Sequence, residues 1–579
     1  MQILDSRRLT GLSLLLDTPG AVLDVRLGKQ DPDRAIAFWK TAARRLLCEV
    51  GWADEELVVR RFPGGVSLAL TAPVDGLYAA TELNEFAWEA AAAELGDGDS
   101  PDYASGVEAI RGAIASEKNS ALVAVRAAAR ERGLTFLAGE EQVSVGSGAG
   151  ALVWAEAALP EPETVDWSRV RDVPTALVTG SNGKTTVVRL LAAMLRAAGR
   201  NPGFTSTDGV VVGSASIEEG DFSGPSGARM VLRHAEVEAA VLETARGGLL
   251  RRGLAVEHAS AAVVTNVAED HLGEFGIESL AELADTKLVV AKALGDRGTL
   301  VLNADDPMLV ERSSAVSARF IWFSLEPTSP VVSAHTRAGG SAVVAEQGHI
   351  VLIRGERRDS IAPLAEVPFT FRGTAEHNVA NALAAVGVGT GLGLGVEAMA
   401  SALRKFGQDP GDNPGRATLL EIGGVQVLLD YAHNAHGMSA LVGLARKLPA
   451  QRRLVLVGQA GDRSDEAVRQ LARAVWSLRP DHVVVKEMDE YLRGRPAGEV
   501  PALLAGELSR LGLADEAVSR AGPDIAGVRQ SLEWARPGDL LVLAVHQDRQ
   551  AVLQLLNGLT EEHWKAGEPL PAHGVSRAR

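Results

Sequence analysis

The run Gly180-Ser181-Asn182-Gly183-Lys184-Thr185-Thr186 has the make-up of an anion cradle. Glycines let successive backbone N–H groups wrap one phosphate, and a helix opening at the loop's end adds partial positive charge. Lys184 can reach β- and γ-phosphates, and a hydroxyl from Thr185 or Thr186 can ligate Mg2+. Thr175-Ala-Leu-Val-Thr179 before the loop reads as a buried strand, and Val187 to Gly199 after it as a helix. The strict six-position spacing of such loops would put glycine at 178, where valine stands, so this is a shorter variant.

Other polar residues end apolar runs. Glu243 closes Glu-Ala-Ala-Val-Leu-Glu, and Asp270-His271 follows Ala261-Ala-Val-Val-Thr-Asn-Val267. Open α/β sheets place ligand groups at these carboxyl ends of strands. Lys287 lies 16 residues after His271 inside a helix pattern, with Lys292 nearby, and each also reads as a solvated helix lysine. Asn378 and Asn381 share a helix face at i and i+3, although Asn378 could equally be a helix cap. Arg416 precedes Asp430-Tyr-Ala-His433-Asn434 by 14 residues. Gly461-Asp462-Arg463, Asp489-Glu490, Arg493-Gly-Arg495, His546 and Asp548 complete a set of polar strand ends.

From Thr175 short apolar runs alternate with helix patterns, the signature of a parallel α/β sheet with crossover helices. Ser341 to Ile353 alternates and carries glycine, which predicts an inserted β-hairpin. After the turn cluster Asp409-Pro-Gly-Asp-Asn-Pro-Gly415 the α/β rhythm resumes. Before Thr175 the pattern is mixed: amphipathic helices, a helix over Ser120 to Arg132, two short strand-like runs and an acidic, proline-bearing linker over 156–174. Thr205, Ser206, Thr207 and Asp208 read as a polar loop after the first α/β helix, and Arg246, Arg251 and Arg252 as a basic loop after Glu243. The expected architecture is an α+β N-terminal domain (1–165), a phosphate-loop α/β domain (166–413) and a Rossmann-like α/β domain (414–579) with a loose tail.

The glycine loop resembles that of the Mur ligase family, ATP-dependent amide ligases of peptidoglycan precursors, folylpolyglutamate and cyanophycin. Gly203-Phe-Thr-Ser-Thr-Asp-Gly209, Leu242-Glu243-Thr-Ala-Arg-Gly-Gly248, Asn266-Val-Ala-Glu-Asp270-His271-Leu-Gly273 and Leu492-Arg493-Gly-Arg495 are similar to the cyanophycin synthetase branch in particular. The resemblance covers about residues 170–560, and a fainter likeness extends over the N-terminal region. That branch also carries an ATP-grasp domain. Here Ser120 to Trp154 resembles only its opening, and about 25 residues then lead to the loop strand, where a complete domain needs on the order of 100. A single ligase centre is therefore expected, as in the shortened type that joins β-aspartyl-arginine dipeptides.

The resemblance implies ATP and Mg2+ as cofactors. It assigns Lys184, His271, Lys287 and Arg416 to catalysis, and Gly180 to Thr186, Asn378, Asn381, Arg416 and Asp430 to ATP. Thr185, Glu243, His271 and Lys287 would hold metal, with Asp270 orienting His271 and Lys287 carbamylated in many relatives. Thr207, Asp208, Arg246, Asp462, Arg463 and His433 would face substrate. Three readings stay open: a ligase for a cyanophycin-type substrate, a Mur-type ligase for another amino acid or peptide, and a catalytically silent nucleotide-binding scaffold.

Composition sets limits. Acidic residues (74) exceed basic ones (58), for a net charge of −16, which argues against a general nucleic-acid binder. The one cysteine, Cys48, excludes a disulfide framework and a cysteine-rich zinc module. The N-terminal apolar run Leu12 to Leu16 is too short for a secretory signal, and no apolar stretch is long enough to span a membrane. A cytoplasmic protein with a small-molecule or peptide substrate, no nucleic-acid or membrane partner, and a possible homo-oligomeric state is expected.

Overall fold

A computed structural model describes residues 1–270 and 272–571, so His271 and the expected loose tail beyond 571 lie outside the described residues. The chain gathers into two compact units. The first comprises Met1–Val267, Leu272–Ile361 and Asn381–Ala402. The second takes a short segment from Ala268, Ala362–Ala380 and the chain from Leu403.

In the first unit, Gln2–Leu9, Gly20–Arg26, Leu57–Phe62 and Gly65–Thr71 form an antiparallel sheet in the order first, second, fourth, third. Helices Pro32–Glu49 and Leu77–Glu94 bring Trp39, Leu46, Leu47 and Leu83 to Leu23, Val25, Leu68 and Leu70, all fully buried. Trp39 donates its indole N–H to Asn84 Oδ1 at 2.9 Å, which satisfies the one polar atom of that large side chain. A second small sheet pairs Phe136–Ala138, Gln142–Val145 and Leu152–Ala155, one strand more than the pattern predicted. The third strand is half exposed and held by antiparallel pairing, so it carries little hydrophobic signal of its own.

Among the described residues the main sheet of this unit has eleven strands. Their order is Ala215–Glu219, Gly209–Val212, Pro202–Ser206, Ala239–Glu243, Thr175–Thr179, Ala261–Val264, Thr299–Asn303, Arg319–Ser324, Ser341–Glu346, His349–Arg354 and Arg357–Pro363. From Pro202–Ser206 to Ser341–Glu346 neighbours run parallel. The short apolar runs are buried on both faces, as parallel strands under crossover helices must be. The expected hairpin exists, but it is no separate insertion. Ser341–Glu346 pairs parallel to Arg319–Ser324 and antiparallel to His349–Arg354, so it extends the sheet edge, with Ala342, Val343 and Val344 buried.

The expected polar loop at 205–208 is corrected. Thr205 and Ser206 end the strand Pro202–Ser206 and are 0% and 1% exposed; Thr207 and Asp208 make the turn into Gly209–Val212. Phe204 and Thr205 favour a pleated surface, and the Thr205 hydroxyl accepts from Glu243 N at 3.1 Å.

The second unit centres on a six-stranded sheet: Thr418–Ile422, Val425–Asp430, Leu540–Ala544, Arg453–Val457, His482–Lys486 and Val518–Ala521. The first pair is an antiparallel hairpin and the rest run parallel. Helices Ala435–Lys447, Asp465–Trp476 and Glu499–Arg510 bury Leu441, Leu471 and Leu504 on one face. Asp524–Trp534 and Arg549–Glu561 bury Val528 and Leu556 on the other. The chain thus builds two α/β sheets preceded by a small N-terminal sheet domain. Among the described residues no helix is long and apolar enough to cross a membrane.

Candidate functional site

The strand Thr175–Thr179 ends in the glycine loop, and the helix Lys184–Ala197 begins at the lysine. Gly180 and Gly183 take φ of 145° and 87°. A Cβ on Gly180 would sit 1.9 Å from Thr265 Oγ1, and one on Gly183 2.2 Å from Asn381 Oδ1. Glycine is therefore required twice, by conformation and by space. The end of the adjacent strand Ala261–Val264 frames the loop. Ser181 N donates to Asn266 O at 2.9 Å and Asn182 N to Asn266 Oδ1 at 3.0 Å. Thr265 Oγ1 and Asn266 Nδ2 donate to Asn182 O at 2.6 and 3.0 Å. Lys184 Nζ donates to the loop carbonyls of Gly180 and Ser181 at 3.2 and 3.3 Å. Sequence reasoning gave Thr265 and Asn266 no role; the available signal was their place at the end of an apolar run whose neighbour carries the loop.

Glu243 ends the strand on the other side of Thr175–Thr179 and is 2% exposed. Thr185 Oγ1 donates to Glu243 Oε2 at 2.8 Å and lies 3.2 Å from Thr207 Oγ1. Asp208 pairs with Arg189 at 3.0 Å. A small, water-sized pocket opens beside Glu243, lined by Ser223, Gly224, Thr244, Gly248 and Leu254 among others.

The basic loop expected after Glu243 is a helix, Arg246–Arg252. Arg246 is buried in an ion pair with Glu274, and the Arg252 carbonyl accepts from Thr10 N at 2.8 Å. Lys287 lies in the helix Leu280–Leu288 and is 3% exposed, so it is not a solvated helix lysine. Lys292 instead donates to Ser13 O and Asp17 at 2.8 and 2.7 Å.

The Thr185 hydroxyl and the buried Glu243 carboxylate, 2.8 Å apart, supply the hard oxygen donors that Mg2+ takes, so this pair fits the metal. Lys287 as an ammonium has no lone pair to give; only a carbamylated side chain would join the set. Among the described residues no group of three His, Cys, Asp or Glu side chains is placed to hold a metal ion.

In the second unit, Asp430 Oδ2 accepts from Ala417 N at 2.6 Å, and the Arg416 guanidinium lies 4.2 Å from the Tyr431 ring centre. Burial raises the Asp430 carboxyl above the usual range, opposed by His377 and Arg416, and burial pushes the His377 imidazole down. Asn378 is inside the helix Glu376–Gly391, not at its cap, and donates to Phe369 O at 2.8 Å. Of the two asparagines it is Asn381, in the first unit, that touches the glycine loop. His433 Nδ1 lies 3.2 Å from Tyr431 O, and Asn434 caps the helix Ala435–Lys447.

Arg463 is 2.8 Å from Asp462 and 3.4 Å from Asp270. Arg495 donates to Gly461 O and Arg463 O at 2.9 and 2.7 Å, so it holds the 461–463 loop. Sequence reasoning missed a sealed pair at the sheet's carboxyl end. Lys486 and Asp524 are both fully buried and bonded to each other; Lys486 also donates to Ala544 O at 2.7 Å. Asp524 Oδ2 accepts the backbone N–H groups of His546, Gln547 and Asp548 at 2.7, 2.6 and 3.1 Å. The only cue was a lysine closing the apolar run His482–Lys486.

A glycine loop between a buried strand and a helix, in a sheet followed along the chain by a second parallel one, defines a class of two-sheet α/β proteins. The chain belongs to the Mur ligase family: residues 178–389 match the Mur ligase middle domain and residues 415–545 the Mur ligase glutamate ligase domain. Cyanophycin synthetase of Trichormus variabilis is 35% identical over 398 residues, 69% of this chain and 44% of that protein. The Geminocystis herdmanii cyanophycin synthetase is 39% identical over 333 residues, 58% of this chain and 38% of that protein. The chain thus spans less than half the length of these relatives. UDP-N-acetylmuramate–L-alanine ligase of Bordetella pertussis is 28% identical over 74% of this chain and 89% of that protein. Among solved structures, MurF from Acinetobacter baumannii aligns with a TM-score of 0.48 at 18% identity, covering 67% of this chain and 77% of its own.

Proposed function

We propose that the protein is an ATP-dependent, ADP-forming carbon–nitrogen ligase acting on a cyanophycin-type substrate. The observation that carries this reading is the Thr185–Glu243 pair at the mouth of the glycine loop. A carboxylate is a poor electrophile. Its oxygen attacks the γ-phosphorus of ATP, the bond to the bridging oxygen breaks, and ADP leaves. The amine nitrogen then attacks the acyl carbon, inorganic phosphate leaves, and the nitrogen gives up a proton. Protein work in such a reaction is positioning and charge neutralisation.

The backbone of Gly180 to Thr186 cradles the phosphates, and Lys184 moves from the loop carbonyls to the β- and γ-oxygens. Thr185 and Glu243 hold Mg2+, which when bound neutralises phosphoryl oxygens; His271 and carbamylated Lys287 are proposed to hold a second ion. Asn378, Asn381, Arg416 and Asp430 are assigned to the nucleotide. Thr207, Asp208, Arg246, Asp462, Arg463 and His433 are assigned to the acyl and amine substrates. The division at 165/166 and 413/414 belongs to the same proposal. The identity with cyanophycin synthetases, above that with the muramate–alanine ligase, favours joining of β-aspartyl-arginine units. Coverage of most of the muramate–alanine ligase supports a second reading, a Mur-type ligase for another amino acid or peptide.

The test is ADP release by pure protein with Mg-ATP against β-Asp-Arg, cyanophycin primer, arginine, lysine and glutamate. Stimulation by β-Asp-Arg with primer alone supports the first reading, and stimulation by an unrelated amino acid the second. ATP binding without turnover on any member would reduce the protein to a silent scaffold.

A further inference from the structure

Three stretches of the first unit follow or contain the proposed metal-side residues: the helix Arg246–Arg252 after Glu243, the loop from Leu272 to Ile277 after Asp270-His271, and the helix Leu280–Leu288 with Lys287. The N-terminal sheet and the segment leading from its first strand hold the backbone of the first two, or of their immediate continuations, and the Glu282 side chain of the third. Arg7 Nε donates to Leu250 O at 2.8 Å, Thr10 N to Arg252 O at 2.8 Å, and Leu254 N to Leu12 O at 2.7 Å. Arg7 is itself fixed by buried Asp24 at 2.6 Å.

Arg60, on the strand Leu57–Phe62, makes the largest set of contacts. It donates to Phe275 O at 2.7 Å, Gly276 O at 2.9 Å and Glu282 at 3.2 Å. Phe275 and Gly276 have φ of 53° and 64°, and a Cβ on Gly276 would lie 2.5 Å from the Phe62 ring. A phenylalanine at positive φ persists only where its surroundings impose it. Glu282 is the capping-box residue of the helix that carries Lys287. One guanidinium therefore ties a strained loop to the start of that helix, a geometry that a planar fork of donors can make and a single ammonium cannot.

We propose that Arg60 is a positioning residue through which the N-terminal sheet sets the loop from Leu272 to Ile277 and the Lys287 helix. This deepens the proposed function and rests on it. The full-length Arg60→Met and Arg60→Lys variants test it in two measurements. The first is amide hydrogen exchange without nucleotide. Arg60→Met is expected to speed exchange over 272–277 by about ten-fold, with Ala239–Glu243 unchanged. The second is the Mg2+ concentration at half-maximal ADP release, expected to rise about ten-fold in Arg60→Met, with Arg60→Lys restoring little. A merely structural loss would lower the melting temperature without moving the Mg2+ midpoint.

Unchanged exchange over 272–277 overturns the brace. Faster exchange with an unmoved midpoint overturns its service to the site. A wild-type protein without turnover counts against the ligase reading, and the exchange measurement then decides the brace by itself.

Discussion

The carboxyl ends of the two parallel sheets handle charge in opposite ways. In the first unit the polar groups around the glycine loop are backbone, hydroxyls and the buried Glu243 carboxylate, with Lys184 resting 3.2 and 3.3 Å from the loop's own carbonyls. In the second, Lys486 and Asp524 are sealed, and Asp524 fixes three consecutive amides of the segment after Leu540–Ala544. A sealed pair organises backbone, and its loss should be read in stability. A lysine bonded only to carbonyls can exchange partners, and its loss should be read in rate.

The largest expected effect is on the sealed side. Asp524→Ala leaves Lys486 a buried, uncompensated cation and should cost about 3–5 kcal/mol in urea unfolding. The double variant Lys486→Met/Asp524→Leu should recover much of that cost; equal losses in single and double variants would show that packing, not charge, sets the stability. On the open side, Lys184→Ala should lower turnover by about 100- to 1,000-fold, the range for removing one group that stabilises developing charge, with an unchanged unfolding midpoint. Full activity would end the phosphate-loop assignment.

Gly183→Ala should weaken nucleotide binding and cost roughly 1–3 kcal/mol, because its φ is 87° and the new Cβ meets Asn381. Adding Asn381→Ala should return only the steric part of the loss. The smallest effect concerns acid. Hydrogen bonds from Arg510 and Arg473 lower Glu507 from 4.5 to about 2. A depressed carboxyl stabilises the fold above its unfolded value, and that contribution fades as pH falls from 4.5 toward 2. Glu507→Gln should flatten this part of the stability curve and leave neutral-pH activity unchanged.

The contrast also marks what sequence can show. The strand Thr175–Thr179, the loop and the helix from Lys184 were readable because buried parallel strands are continuous apolar runs and glycine marks impossible side-chain positions. The place of Glu243 at a strand end was readable from the apolar run before it, while its assignment to metal came from the family resemblance. Thr205 was misplaced because a hydroxyl in a strand resembles loop composition until its partner, Glu243 N, is known. Lys486–Asp524 and Arg60–Phe275 were illegible for the same reason: 38 and 215 residues separate the partners, and nothing local to either residue names its partner.

The most direct test of the central claim follows oxygen. The carboxylate of the acyl substrate that supports ADP release is labelled with oxygen-18, and the inorganic phosphate formed in one turnover is weighed. Phosphoryl transfer to the carboxylate predicts one labelled oxygen in each phosphate. Phosphate carrying no label, with amide formed, would contradict it.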